Sequence, residues 1–484
     1  MTLPSNRSNR DAYEGYKGLP PLVGLLPMTE AISKGLPVEQ VTSRLKRIHW
    51  ALREAHKAMM AHIAGTPVYE LKMAFSLHAF YCAEHVEQIA TRIREMRQPP
   101  YGLELQPTPA LELLGKELLA APTIPAFLLG LYQVLFPVVQ QAIENLLSET
   151  NKIFDYPTYR LCRHALLEIE DVNAYGVAAL AALVSEDDKN ALAPWVRLLR
   201  EAIAASGSLD GTAPCEEHQL TPSFSAKPYV YDGTPRRDER FIDPYNMGVN
   251  AEALLFDSDI APRAKTLMLF YKRMRELNVP EVMSSILAET HGQPWEYYRD
   301  MTRQMWDEAR HAMMGEVGFV ALGIDWTRIP FDLPWSYNLN TRLTPLERHA
   351  VLFTIEQGLM PRDRGKQYEW EVALASASPL AITIQDYDWA DEIVHARIGR
   401  DWLVSQLGSQ QEALAFGDKA WSNAVEDWSK WKERGLTEHR NWWPDLYLEA
   451  CARWQIEPDP KTRTFHVTYE GVRPDQKQVV QSCK

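Results

Sequence analysis

From residue 37 onward, apolar positions recur every three to four residues, the period of a helix with one buried face. Val41, Leu45, Ile48, Leu52 and Met59 predict a helix over Pro37–Ala64, stopped by Gly65-Thr66-Pro67. The same period predicts helices over about Val68–Met96, Pro125–Thr150 and Thr158–Val184, and a further one over Ala193–Ala205. Long helices in succession make residues 1–205 an N-terminal helical bundle. Residues 206–260 lose the period and collect Gly207, Gly211, Pro214, Pro222, Pro228, Gly233, Pro235 and Pro244. Phe224, Tyr229, Tyr231, Phe241 and Tyr245 want burial, so this stretch reads as an ordered connection rather than a flexible linker.

A second set of helices follows, over about Pro262–His291, Pro294–Leu322, Pro345–Met360 and Leu380–Leu407. The His291-Gly292-Gln293-Pro294 turn makes the first two antiparallel neighbours. Thr344-Pro345-Leu346-Glu347 supplies an N-cap, a proline at N1 and a capping-box glutamate. Residues 411–484 read as a Trp-rich helical extension whose end, Thr462–Tyr469, alternates enough for a short strand. The expected fold is therefore all-α. It has two four-helix bundles, 1–205 and 261–410, joined by residues 206–260 and followed by the extension.

Composition narrows the classes. A chain of 484 residues allows two to three domains, and 46% hydrophobic residues supply their cores. A net charge of -13 with no basic cluster argues against a nucleic-acid partner. The five cysteines are scattered with no C-x-x-C, which argues against a disulfide scaffold or zinc ribbon and fits a reducing cytoplasm. The polar stretch Met1–Tyr16 has no signal-peptide pattern, and the longest apolar run, Ile124–Val139, is too short for a membrane span. There is no G-x-G-x-x-G, P-loop or G-x-S-x-G.

The chemistry lies in a repeated motif. Asp307-Glu308-Ala309-Arg310-His311 and Asp391-Glu392-Ile393-Val394-His395 each set Glu and His one helical turn apart on one face. A carboxylate can bridge two cations while the imidazole one turn on ligates one of them. Two such helices suit a dimetal cage, which needs one further Glu from each of the other two helices. On the third helix Glu347 is spent as a cap, leaving Glu356. On the first, Glu276 and Glu281 are both about as far from the turn as Glu308, so both remain open; Glu289 is too near it. Pro280 would kink this helix and re-aim either one. Asp307 and Asp391 are expected to orient the imidazole of the partner helix, Asp307 with His395 and Asp391 with His311. In the first bundle Glu84, Glu87, Glu168, Glu170 and Asp171 occupy corresponding places without the His spacing. A metal-free packing bundle is the expectation there, in preference to an all-carboxylate site.

These residues resemble the ferritin-like superfamily of diiron-carboxylate proteins. Asp391-Glu392-Ile393-Val394-His395 with Gly399 and Trp402 is similar to the D-E-x-x-H-V-x-x-G-x-x-W signature of a bacterial ferritin-like family defined only as a domain of unknown function. Glu356-Gln357-Gly358-Leu359 resembles its E-A-R-G-L, and Glu276-Leu277-Asn278 its first-helix run, over about residues 262–410. The resemblance selects Glu276 over Glu281. It implies two iron ions, or a manganese–iron pair, held by Glu276, Glu308, His311, Glu356, Glu392 and His395 and activating dioxygen. Carboxylates with two imidazoles also suit iron or manganese better than copper or zinc.

The expected function is a dioxygen-dependent oxidoreductase of the oxygenase, oxidase or desaturase type. Its partners are dioxygen, a small organic substrate and an electron donor, with no catalytic residue separable from the ligands. The alternative is iron oxidation or storage without an organic substrate, against which the chain's length and large additions argue. A homodimer is the default assembly for such bundles.

Overall fold

The computed structural model describes residues 13–97, 102–103, 105, 107–215, 220–425 and 430–468. Among these residues the protein is all-helical, with no strand. The chain folds into two compact units, Met1–Ala58 with Tyr81–Val230, and Met59–Phe80 with Tyr231–Lys484. These boundaries differ from those expected. The turn between the first two helices belongs to the second unit, and the 206–260 connection is shared between both.

In the first unit the longer helices are α1 (Val38–Ile63), α2 (Tyr69–Glu95), α3 (Pro109–Leu119), α4 (Ile124–Glu149), α5 (Tyr156–Leu183) and α6 (Glu186–Ala205). The residues Met59–Ile63 of α1 and Tyr69–Phe80 of α2 belong to the second unit. α6 starts earlier than its apolar period suggested, because Ser185 and Asp188 form a capping box upstream of the first apolar stripe. α4 is long and apolar enough to cross a membrane once its whole length is counted. However, 72% of its most apolar window is buried within the folded chain.

In the second unit the longer helices are α7 (Pro262–Arg275), α8 (Asn278–Glu289), α9 (Trp295–Ala321), α10 (Pro334–Arg342), α11 (Pro345–Gly358), α12 (Lys366–Ser376), α13 (Pro379–Gly399), α14 (Gln410–Val425) and α15 (Trp443–Trp454). Besides α10, where no helix was expected, two features depart from the expected set. The first predicted helix is broken into α7 and α8 at Glu276. Pro280 has no N–H to give the Glu276 carbonyl, which instead accepts from Val279 N at 2.9 Å in a tighter turn. The second departure is α12, which sequence periodicity missed. Its buried positions include Lys366 and Glu369, and charges on a core face mimic a solvated one.

Glycines let the site helices close. A Cβ on Gly315 of α9 would collide with Met274 N and lie 2.6 Å from Phe270 O, both on α7. Gly399 of α13 similarly meets the Phe353 ring of α11, and Gly417 of α14 meets Ala350 O. We expect Gly315→Ala to lower unfolding free energy by about 1–3 kcal/mol through overpacking, although alanine is about 1 kcal/mol the better helix former. A urea midpoint at or above wild type would contradict this.

The extension contributes to the core of the second unit. Trp443 is fully buried and donates to Thr462 O at 2.7 Å, and Trp442 packs on Tyr271 of α7. The expected terminal strand does not form over its described residues. Thr462 and Arg463 close a helical turn, Pro460–Arg463, and a single ladder-like bond runs from Asn250 N to Val467 O. Tyr469 lies outside the described residues.

Candidate metal centre

The six sequence-selected residues converge inside the second unit. Glu308 and His311 project from α9, and Glu392 and His395 from α13, with the imidazole centroids 5.8 Å apart. Glu356 comes from the last turn of α11. Glu276 is the residue that ends α7, so the break imposed by Pro280 places it. The side chains fall into two groups, Glu276, Glu308, His311 and Glu392, and Glu308, Glu356, Glu392 and His395. Within each group one donor atom per residue lies within 4.8 Å of all the others. Glu308 and Glu392 belong to both.

Glu281, the open alternative, is elsewhere. It is fully buried in contact with Lys72 and Arg237, and it accepts from Ser336 Oγ at 2.8 Å. Glu289 pairs with Arg348, and Glu347 caps α11 through the Thr344 amide at 2.8 Å.

Each imidazole points its Nδ1 inward and its Nε2 outward. His311 Nδ1 lies 3.4 Å from Glu276 and 3.6 Å from Glu308. His395 Nδ1 lies 3.3 Å from Glu308 and 3.2 Å from Glu392. The aspartates stand behind, in the crossed pairing read from the sequence. Asp391 is 3.2 Å from His311 Nε2, and Asp307 is 3.5 Å from His395 Nε2. Arg310 ties the two aspartates together, and Arg303 Nε donates to Asp307 at 2.8 Å. His311, held this way by its Nε2, keeps Nδ1 aimed into the cluster, whereas His395 Nε2 faces Asp307 without a hydrogen bond of acceptable geometry.

Sequence reasoning missed a second layer of charge. Lys366, at the start of α12, is 2.8 Å from Glu392 Oε1, 3.5 Å from Glu276 Oε1 and 2.9 Å from Asp388. Arg273 of α7 is 3.0 Å from Glu276 Oε1 and also contacts Asp388 and Glu369. The sequence carried no signal for this layer, since the burial of Lys366 and Glu369 shows only in the fold. The cations take the Oε1 side of Glu276 and Glu392. The Oε2 atoms are left facing the imidazoles, and Glu276 Oε2 has no hydrogen-bond partner.

Four buried carboxylates cannot all stay ionised without compensation. Here the compensation is partly protons. Burial, then the adjacent Glu392 carboxylate, pushes Glu356 well above the usual carboxylate range. Burial acts the same way on Glu392, but Lys366 outweighs it and holds Glu392 well below that range. Arg273 and Lys366 likewise overcome burial at Glu276 and bring it to about 2. Burial disfavours imidazolium, yet Asp391, Glu276 and Glu308 raise His311 to about 10, and Asp307, Glu308 and Glu392 raise His395.

The donor set fits cations in place of those protons. Glu276 Oε2, Glu356 Oε2 and His311 Nδ1 are buried without a hydrogen-bond partner, and all three face the cluster. Two divalent ions would balance the four glutamates with both imidazoles neutral. A cavity of about 170 Å³ abuts the ligands and is lined in part by Glu276, Glu308, Glu356 and Glu392. Its other walls mix Val279, Trp335, Leu352, Ile355, Leu359 and Trp421 with Lys272, Arg275 and Asn278.

In the first unit the carboxylates considered in the sequence do not converge. Glu170 and Asp171 are exposed, and Glu87 pairs with Arg94. Of that set Glu168 alone gathers histidines, His85 and His164. No protein-family model, curated protein or solved structure matches this chain.

Proposed function

We propose that α7, α9, α11 and α13 form a ferritin-like four-helix dimetal bundle, with a second bundle of long helices in the first unit. On this reading the chain is a dioxygen-activating non-haem diiron, or manganese–iron, oxidoreductase acting on a small organic substrate. One observation carries the reading. Glu308 and Glu392 are shared by two four-donor groups, each completed by a histidine one turn along the same helix.

Bound there, the metal pair would supply the electrons and open coordination positions that dioxygen activation requires. The protein's own part is positional. Asp391 fixes the tautomer and direction of His311, and Asp307 sets a negative charge 3.5 Å behind His395 Nε2. Lys366 and Arg273 hold the outer oxygens of Glu276 and Glu392. Leu352, Ile355, Leu359 and Trp335 give the adjoining cavity an apolar wall. At about 170 Å³ it is close to the roughly 150 Å³ space that accepts benzene in an engineered core, so it suits a small ring or short chain. Lys272 and Arg275 on its wall suit a polar end on that molecule.

The two metal positions are unequal. Only the His311 group contains Glu276, whose charge Lys366 and Arg273 already offset. Glu356, in the His395 group, gives up a proton rather than a salt bridge. The His395 position is therefore expected to fill first. In a titration of metal-free protein with manganous or ferrous ion, His395→Ala should weaken the first binding event at least tenfold. His311→Ala should spare it. The opposite order would refute the asymmetry.

Metal analysis followed by dioxygen uptake with ferrous iron tests the function. Uptake stimulated by one class of small organic molecule supports the oxidoreductase. Sustained uptake with ferrous iron alone supports iron oxidation, and protein that takes up neither metal refutes both.

A further inference from the structure

We propose that the first unit carries a separate site for a borderline divalent cation such as zinc, built by His85, His164 and Glu168. It is independent of the dimetal reading.

The geometry comes from two helices. α5 sets His164 and Glu168 four residues apart on one face, with His164 Nε2 3.9 Å from Glu168 Oε1. α2 brings His85 against them, its Nε2 2.7 Å from Glu168 Oε2. One donor atom from each residue lies within 4.8 Å of the other two, and the imidazole centroids are 5.8 Å apart, edge to face. The carboxylate thus offers one oxygen to each ring, the disposition a cation between the three would need.

The second observation is His85 itself. It is fully buried, and neither ring nitrogen makes a hydrogen bond of acceptable geometry. A buried imidazole left so keeps its desolvation cost unless something else engages it. Its Nε2 is aimed into the cluster. A cation there satisfies it, and the exposure of His164 leaves an open side for water. Two imidazoles and one carboxylate with an open position form a ligand set used by zinc and its neighbours. The competing account is a His85–Glu168 ion pair with His164 as a bystander on the surface.

His164 side-chain exposure of 58% makes His164→Ala a substitution the fold should tolerate. The full chain, stripped with chelator and re-equilibrated with excess zinc, would be assayed for bound metal. His164→Ala and Glu168→Gln should each bind one equivalent less than wild type, and Glu170→Gln, on the exposed side of α5, should match wild type. The difference is one equivalent whatever the second unit holds, so failure of the dimetal reading changes the totals and leaves the difference intact. Absorption of the cobalt-substituted protein should lose a matching band in His164→Ala. Equal zinc content and affinity in wild type and both variants, with helical circular dichroism retained, would overturn the site.

Discussion

Glu392→Ala is expected to empty both metal positions at once. Wild-type protein reconstituted with ferrous or manganous ion should carry about two metals per chain. His311→Ala and His395→Ala should each retain close to one, because each imidazole belongs to one group only. Glu392 belongs to both, and so does Glu308. Removing a shared carboxylate deletes a donor from each position and leaves net positive charge from Lys366, which sits 2.8 Å away. Unlike charges about 4 Å apart at an effective dielectric near 20 attract by about 4 kcal/mol, so deleting that carboxylate weakens both positions by several orders of magnitude. Elemental analysis of the variants decides the matter. If Glu392→Ala kept two tightly held ions while remaining folded, the shared-ligand arrangement would be wrong. If every variant and the wild type lacked metal, the cluster would be a buried ion-pair network.

The largest effect on stability is expected at Glu281. This carboxylate is fully buried between the Lys72 ammonium and the Arg237 guanidinium and serves as counter-ion to both. Lys72 otherwise has carbonyl oxygens, those of Arg236 at 2.8 Å and Ala64 at 3.4 Å. Arg237 retains Asn278 Oδ1 at 3.2 Å. Breaking a buried ion pair by deleting one partner costs about 3–5 kcal/mol, since the other charge stays buried. Glu281→Ala should therefore lower the unfolding free energy by that amount, read from urea midpoints. Replacing both charges, as in Lys72→Met with Glu281→Leu, should recover part of the loss. Metal content should be unchanged in the folded Glu281 variant. Loss of metal there, with the fold intact, would return Glu281 to the ligand set in place of Glu276.

Much of this could be read without coordinates. The helical periods located α1, α2, α4, α5, α9 and α11 to within a few residues, and the start of α13, which runs on through a π segment to Leu407. The Glu–His pairs on α9 and α13 followed from spacing, as did the cap at Thr344. These are local properties. The hydrogen-bond period of a helix fixes which residues share a face, and a capping side chain reaches only its own first turn. Even the break at Glu276 was written locally, in the missing N–H of Pro280.

What the chain's order could not decide is which faces meet. Glu276 and Glu281 are equivalent by distance from the turn. Resemblance alone favoured Glu276, and the packed helices send it to the imidazoles and Glu281 to Lys72. α12 was invisible because Lys366 and Glu369 are polar residues on a buried face. Their burial is tolerable only beside Asp388, Arg273 and Glu276, which come from other helices. His85 and Glu168 are far apart in sequence, and nothing short of folding reveals that they touch. Helical spacing is set within one turn by backbone bonds, whereas the neighbour that neutralises a buried charge is chosen by the packing of the whole unit.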